Sequence, residues 1–188
     1  MRLTRKWMSM GRSQSGQALV EFMLVGFIAL FLLFGMIDFC RAISTRQVII
    51  NLSREGANFA ARGSVASSTD AAISNAIADV IAEASPLNIN SSGQVIISAV
   101  FNTGKSYVIS NQVSEGKLTQ PSKIGSLNGA ATMPIPATTT GAVPQSNQTT
   151  FVAEVFYDFK PATPLGNVLV GNLNGFTVTN QFYDVAYF

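Results

Sequence analysis

From Ala18 to Ile37 every residue is apolar or glycine except Glu21. A run of about twenty such residues, rising ~1.5 Å each in a helix, matches a ~30 Å hydrocarbon layer, and the pattern therefore predicts a membrane-crossing helix. Beyond Ile37 the apolar positions become periodic instead of continuous, and no proline intervenes before Pro86. This predicts one helix from about Gln17 to about Arg62, ~70 Å long. Ile43, Ile50 and Ala57 recur every seventh residue, with Val48, Leu52 and Phe59 nearby, and make an apolar stripe. The stripe suits packing against the protein's own distal part and contact with another subunit equally. Gly63 is the expected C-cap.

After a short Ser/Thr linker, Asp70 is placed to cap a second helix that ends near Ala84. Its Ile73, Ile77, Val80, Ile81 and Ala84 share one face, and Pro86 stops it. Gln94 to Phe101 and Lys105 to Val113 read as two strands joined by an Asn102-Thr103-Gly104 turn. Residues 114–150 are rich in Gly, Pro, Ser, Thr and Asn and read as a long loop region. Strand character resumes at Phe151 to Phe159 and again at Phe176 to Tyr183, with Pro161, Pro164, Gly166, Gly171 and Gly175 between. The expected fold class is α+β: a long N-terminal helix, a second short helix and a small antiparallel β-sheet head. The expected division is a basic leader 1–16, a transmembrane and stalk helix 17–63, and an extracytoplasmic α+β head 64–188 with the long loop 114–150.

Charge orients this arrangement. Arg2, Arg5, Lys6 and Arg12 stand in residues 1–16 with no acid among them, whereas the whole chain carries only +2, so everything after residue 16 is net negative. Positive charge before the span places residues 1–16 in the cytoplasm and residues from 41 onward outside it. A cleavable secretory signal fits poorly, because the apolar run exceeds the usual ~7–15 residues and no small-x-small site follows it before Cys40. The charged fraction of 12% is about half the ~25% usual for soluble domains, and mean hydropathy is +0.30, which agrees with a chain partly embedded in lipid or among subunits. A net charge of +2 is too small for nucleic acid to be the expected partner.

Within the span Glu21 stands out, because a carboxylate in an apolar helix costs a few kcal/mol at mid-bilayer and is a functional residue by default. It lies one turn in, where snorkelling to the headgroups lowers that cost. The string Ser15-Gly16-Gln17-Ala18-Leu19-Val20-Glu21-Phe22 resembles the processing site of type IV pilin-like proteins: a basic leader ending in glycine, four residues, then Glu and an aromatic. Together with IDFCRA at Ile37 to Ala42, RQV at Arg46 to Val48 and REGANFAARG at Arg54 to Gly63, it resembles the TadE-like pseudopilins of tight-adherence (Tad, or Flp) pili. Weaker likeness continues in SKIGSLNGAATMP (Ser122 to Pro134) and VAEVFYDFKP (Val152 to Pro161). Cys40 departs from the pattern, standing where a glycine is expected.

The resemblance implies a pilin-like minor pilin acting in pilus biogenesis, assembly and surface adhesion. It implies cleavage by a prepilin peptidase between Gly16 and Gln17, with Glu21 as the fifth residue of the product. The partners it implies are that peptidase, other pilin-like subunits and an inner-membrane assembly platform, in a single-pass bacterial inner-membrane protein oriented N-in and C-out. Leu24, Phe27, Phe31, Phe34, Asp38 and Arg41 are the expected packing positions of the helix. Glu21 can answer the new α-amine of its own chain or that of a neighbour.

Asp38 and Arg41, three apart, have the spacing of a helical ion pair where lipid ends. Cys40 beside them is expected to pack as a small apolar group, an intermolecular bridge being the alternative. No cofactor is expected. With no histidine and one cysteine, Ser-His-Asp and Cys-His nucleophilic sites, histidine-based zinc sites and an intrachain disulfide are excluded. No GxGxxG, P-loop or CxxC appears. Glu154 and Asp158 share a strand face about 13 Å apart, too far to act on one bond, and are expected to be solvated. Calcium through loop carbonyls and Asp184 has no EF-hand spacing behind it. The aromatics of FVAEVFYDF and NQFYDVAYF suit a core or an adhesive surface. An uncleaved membrane-anchored adhesin or binding protein is the alternative reading, and an enzyme the least favoured.

Overall fold

With no proline to break it, the apolar N-terminal segment runs directly into the periodic one as a single helix, α1 (Ser15–Ala66, 52 residues). The computed structural model describes residues 15–66, 69–132, 147–164, 166 and 180–188. The basic segment before Ser15, the middle of the 114–150 loop, and Gly171, Gly175 and Phe176 lie outside the described residues. The remaining elements are α2 (Thr69–Glu83), a short α3 (Ile89–Ser92), β1 (Gly93–Asn102), β2 (Tyr107–Gly116), β3 (Thr149–Asp158) and β4 (Gln181–Tyr187). The strands form one antiparallel sheet in the order β2-β1-β3-β4. This is the expected α+β architecture.

The upper part of α1 lies on one face of the sheet. Ile49, Leu52, Ala57 and Ala60 bury into a core with Ile73, Ile77 and Val80 of α2 and with Val95, Ile97, Ala99, Ala153 and Val155 of the sheet. Of the two possibilities for the apolar stripe, the structure therefore realises packing on the protein's own head. The buried line is offset from the anticipated one: Ile49 and Ala57 are buried, while Ile43 stays 43% exposed. The reason is helical phase, since Thr45, Ile49 and Leu52, which carry the buried line here, lie about 180–240° around α1 from Ile43.

Small residues set the spacing on this face. A side chain at Gly56 would come within 3.1 Å of Val80 and 3.3 Å of Ala153, so the helix sits close to both α2 and β3. Gly63 was expected to end α1, but the helix passes through it to Ala66. There a Cβ would lie 3.2 Å from that of Ala72, so the glycine admits α2 and does not cap α1. The second helix keeps its anticipated face, with Ile73, Ile77, Val80 and Ala84 buried.

The opposite sheet face is covered by residues 117–132, part of the segment read as loop. It is a strap with specific fastenings. Lys117 and Leu118 donate backbone N–H to Gly93 O at 2.8 and 3.1 Å, and Gln120 N–H donates to Gln94 Oε1 at 2.7 Å. Farther on, Ala131 N–H donates to Tyr107 O at 2.8 Å, and Ile124 is buried with Val100, Ile109 and Val152. Gly116 turns the chain into the strap with φ +132°, where any Cβ would also meet the Gly93 carbonyl.

Glu154 is the correction of most consequence. It was expected to be solvated and is 0% exposed, beneath this strap. Its carboxylate accepts hydrogen bonds from Ser122 Oγ, from Lys123 N–H at 2.9 Å and from Tyr183 Oη at 2.9 Å. Burial first, and then the Glu154 bond and charge, push the Tyr183 phenol well above its ordinary range. Lys123 completes the group from above, its Nζ 3.6 Å from the Tyr183 ring centroid. Asp158, on the same strand face, is half-buried. The last strand also begins later than anticipated, at Gln181, and runs to Tyr187.

Two measurements on the detergent-solubilised chain check this packing. Ile77→Ala should cost about 2–5 kcal/mol of head stability in thermal unfolding, whereas Ile28→Ala, on the exposed segment, should leave that transition unchanged. A raised Tyr183 pKa contributes stability that is complete below the unfolded value of about 10 and is lost as pH rises above it. Tyr183→Phe should therefore flatten the alkaline fall in stability, while costing about 1–3 kcal/mol at neutral pH through the missing donor to Glu154.

Candidate functional site

Below the head, α1 carries its apolar side chains on every side. Leu19, Val20, Phe22, Met23, Leu24, Val25, Phe27 and Ile28 are all exposed, Phe22 at 76% and Phe27 at 71%. A helix apolar all round has no polar face to give to water, so it requires lipid or other apolar helices as its surroundings. It is long and apolar enough to cross a membrane, and none of its most apolar stretch is buried within the chain.

The residues singled out from the sequence divide along this helix. Gly16 and Gln17 form its first turn among the described residues, and a side chain at Gly16 would meet no other atom. Gln17 and Glu21 are one turn apart on the same side, both exposed. Phe22, Leu24, Phe27 and Phe31 are exposed as well, while Phe34 is half-buried. The structure thus brings Gln17 and Glu21 together on one face and leaves Phe22, Phe27 and Phe31 exposed.

At the upper end of the apolar stretch the arrangement changes. Asp38 was expected to pair with Arg41, but its oxygens are taken by the segment that follows β3. Ala162 N–H donates to Asp38 Oδ1 at 2.8 Å, Thr163 N–H donates to the same oxygen at 3.2 Å, and the Thr163 hydroxyl donates to Oδ2. Gly166 N–H in turn donates to Thr163 Oγ1 at 3.2 Å. A Cβ at Gly166 would overlap both the Asp38 carboxylate and Pro161, so the tight return of this loop requires glycine. Arg41 acts on Asp38 only through its field. Cys40 is an exposed free thiol, not a packed group. Its exposed position on the helix leaves no core to enter.

Higher on α1, Ser53 is completely buried and donates to Asp184 Oδ2 of β4 at 2.5 Å. The Asp184 carboxylate is therefore engaged by the helix. Among the described residues no group of three or more Cys, Asp or Glu side chains is placed to hold a metal ion. Sequence reading passed over Thr163 and Ser53. A serine inside an otherwise apolar helical stripe was the available signal for Ser53; nothing local marks Thr163, whose partner is 125 residues away.

Residues 16–58 match the family of TadE-like proteins, which covers the exposed apolar helix and most of the stalk packed on the sheet. No curated protein and no solved structure matches the chain. The rest of the head is thus described by its own geometry.

Loss of the Asp38 anchor should be visible locally. In hydrogen-exchange mass spectrometry of the solubilised chain, Asp38→Ala should speed exchange at Ala162 and Thr163 while leaving the β1–β3 amides protected. Asp38→Asn, which keeps one acceptor oxygen, should fall between the two.

Proposed function

Taking the TadE-like helix at residues 16–58 as premise, we propose that the chain is a minor pilin or pseudopilin of a Tad-type pilus. In this reading it is processed after Gly16 by a prepilin peptidase and acts in pilus biogenesis and adhesion by lateral packing of its N-terminal helix with other pilin-like subunits and the inner-membrane platform. The observation that carries the reading is the coincidence of that family match with an apolar helix exposed on all sides and continuous with a folded head.

The chemistry follows from where charges stand. Before cleavage the basic segment holds the N-terminal side in the cytoplasm. Cleavage removes four cations and creates an α-amine at Gln17, one turn from Glu21, so the carboxylate can neutralise its own amine or that of an adjacent subunit. Either pairing removes an uncompensated charge from an apolar assembly, where it is most costly. Phe22 to Ile37 then supply the surface on which subunits pack, and the head stays outside the membrane. The rigid connection through α1 transmits the position of the packed helix to the head. Nothing in the described head resembles catalytic machinery, and the proposed role is structural.

The N-terminus of the membrane-extracted chain tests this. Intact mass and peptide sequencing should find a start at Gln17, with or without cyclisation to pyroglutamate, in cells that have their prepilin peptidase and not in cells that lack it. Retention of Met1 to Gly16 in both would instead support an uncleaved anchored adhesin. Glu21→Ala should still insert in the membrane yet lose incorporation into the assembly; normal incorporation would remove Glu21 from the mechanism.

A further inference from the structure

A cavity of about 420 Å³ lies between α1, just past its apolar stretch, and the end of β3 with Lys160 after it. Arg41, Ser44, Thr45 and Val48 line it at i, i+3, i+4 and i+7, so one face of the helix forms that wall. Alternation along β3 turns Tyr157 toward α1 on the same side as Ala153 and Val155, and Tyr157 lines the opposite wall. Asp158 belongs to the other set, with Glu154 on the strap side of the sheet, so its carboxylate lies across the sheet from the cavity. Asp38, the nearest acid on α1, is occupied by Ala162 and Thr163. The cavity thus has cations on its walls and no acidic side chain among the described residues.

Donors around this volume lack acceptors. Arg41 and Lys160 are exposed and make no ion pair among the described residues. Thr45 is the more telling group. It is only 8% exposed and lines the cavity, yet its hydroxyl makes no hydrogen bond among the described residues. Its neighbour Ser44 instead returns its own hydroxyl to Cys40 O at 3.0 Å. A hydroxyl so nearly buried and without a partner is costly unless something in the cavity supplies one. The half-buried Tyr157 phenol is likewise without a hydrogen bond among the described residues. Two cations and two free hydroxyls call for an oxyanion. A tetrahedral one, with an oxygen for each donor, satisfies the set better than a carboxylate, which has only two.

We propose that this cavity binds the phosphate group of an anionic phosphate ester, with Arg41 and Lys160 supplying charge and the Thr45 and Tyr157 hydroxyls donating to its remaining oxygens. Arginine and lysine both bind phosphate through charge-assisted hydrogen bonds. The cavity is larger than one phosphate, so the substituent of an ester fits with it. Two sources carry this chemistry. Arg41 is four residues past Ile37, ~6 Å along the axis, which is within the ~5–8 Å headgroup layer flanking a ~30 Å hydrocarbon core. A phospholipid headgroup is therefore one source, and it rests on the proposed membrane role of α1. A soluble phosphate ester is the other, and needs no membrane.

The test has two arms, both on the full chain. Glycerol phosphate is titrated into the chain in a phosphate-free detergent, and native mass spectrometry identifies the lipids the chain keeps from phosphatidylcholine nanodiscs doped with phosphatidylglycerol. Saturable glycerol phosphate binding assigns a soluble ester, and selective retention of phosphatidylglycerol assigns the lipid; the wild-type chain should bind in at least one arm. There the double variant Arg41→Gln/Lys160→Gln should weaken binding about tenfold or more, as expected for loss of charge-assisted bonds. Thr45→Val should weaken it about threefold to tenfold without lowering the thermal transition, because its hydroxyl has no internal partner to lose. Arg54→Gln/Lys117→Gln, which removes two exposed cations elsewhere, should leave binding unchanged. Binding in neither arm overturns the site, as does equal weakening by the two double variants, the mark of surface charge alone. Vesicle flotation separates this from the membrane role: a chain that floats but binds in neither arm loses the site alone, whereas one that binds glycerol phosphate but does not float loses the membrane role alone.

Discussion

Burial of one stripe of α1 against the sheet, from Ile49 to Ala60, is the contact on which the rest of the molecule depends. A helix that projects as a bare stalk has little to hold it, because isolated helical turns in water are only marginally stable. Here the emerging turns are stabilised by the core they help to build, and the sheet is in turn protected by a helix it could not supply itself. Gly56 and Gly63 allow the approach to be close, at β3 and at α2 respectively. The exposed apolar helix and the head are consequently one continuous body, with no linker between them.

Polar anchors then decide how that body is assembled around the stripe. Ser53 with Asp184, Glu154 with Ser122, Lys123 and Tyr183, and Asp38 with Ala162 and Thr163 each join segments far apart in sequence. A buried carboxylate without donors is expensive, so Glu154 selects the arrangement that supplies them, and the half-buried Asp184 and Asp38 favour theirs more weakly. Hydrophobic burial alone would tolerate β4 or the strap at several registers. The hydrogen bonds do not, because a shift of one residue would move every donor away from its carboxylate.

The same division separates the functional surfaces. Below Asp38 the helix offers unpartnered apolar side chains to lipid or to other helices, and above it the helix is committed to its own head. Asp38 marks the change physically, as the loop after β3 closes on it. The TadE-like match at residues 16–58 coincides with this division, since it covers the exposed helix and most of the stalk packed on the sheet.

Much of this was legible from the order of residues. The continuous apolar run, its passage into a periodic stripe, the face of α2 and the β1–β2 hairpin all come from local spacing, and local spacing reports directly which side of an element avoids water. The likeness around Gly16, Gln17, Glu21 and Phe22 was also readable there. What local spacing cannot report is the partner. Glu154 looks like a solvated strand acid until the strap crosses it, Gly63 looks like a helix terminus until α2 lies against it, and Asp38 looks like half of an ion pair with Arg41 until Thr163 arrives from 125 residues away. The sequence by itself determined most of the elements, the apolar segment long enough to cross a membrane and the cluster of cations before it. Only the tertiary structure decided which polar groups became buried anchors and which charges remained free, because desolvation and hydrogen-bond geometry depend on chain segments that meet only after folding.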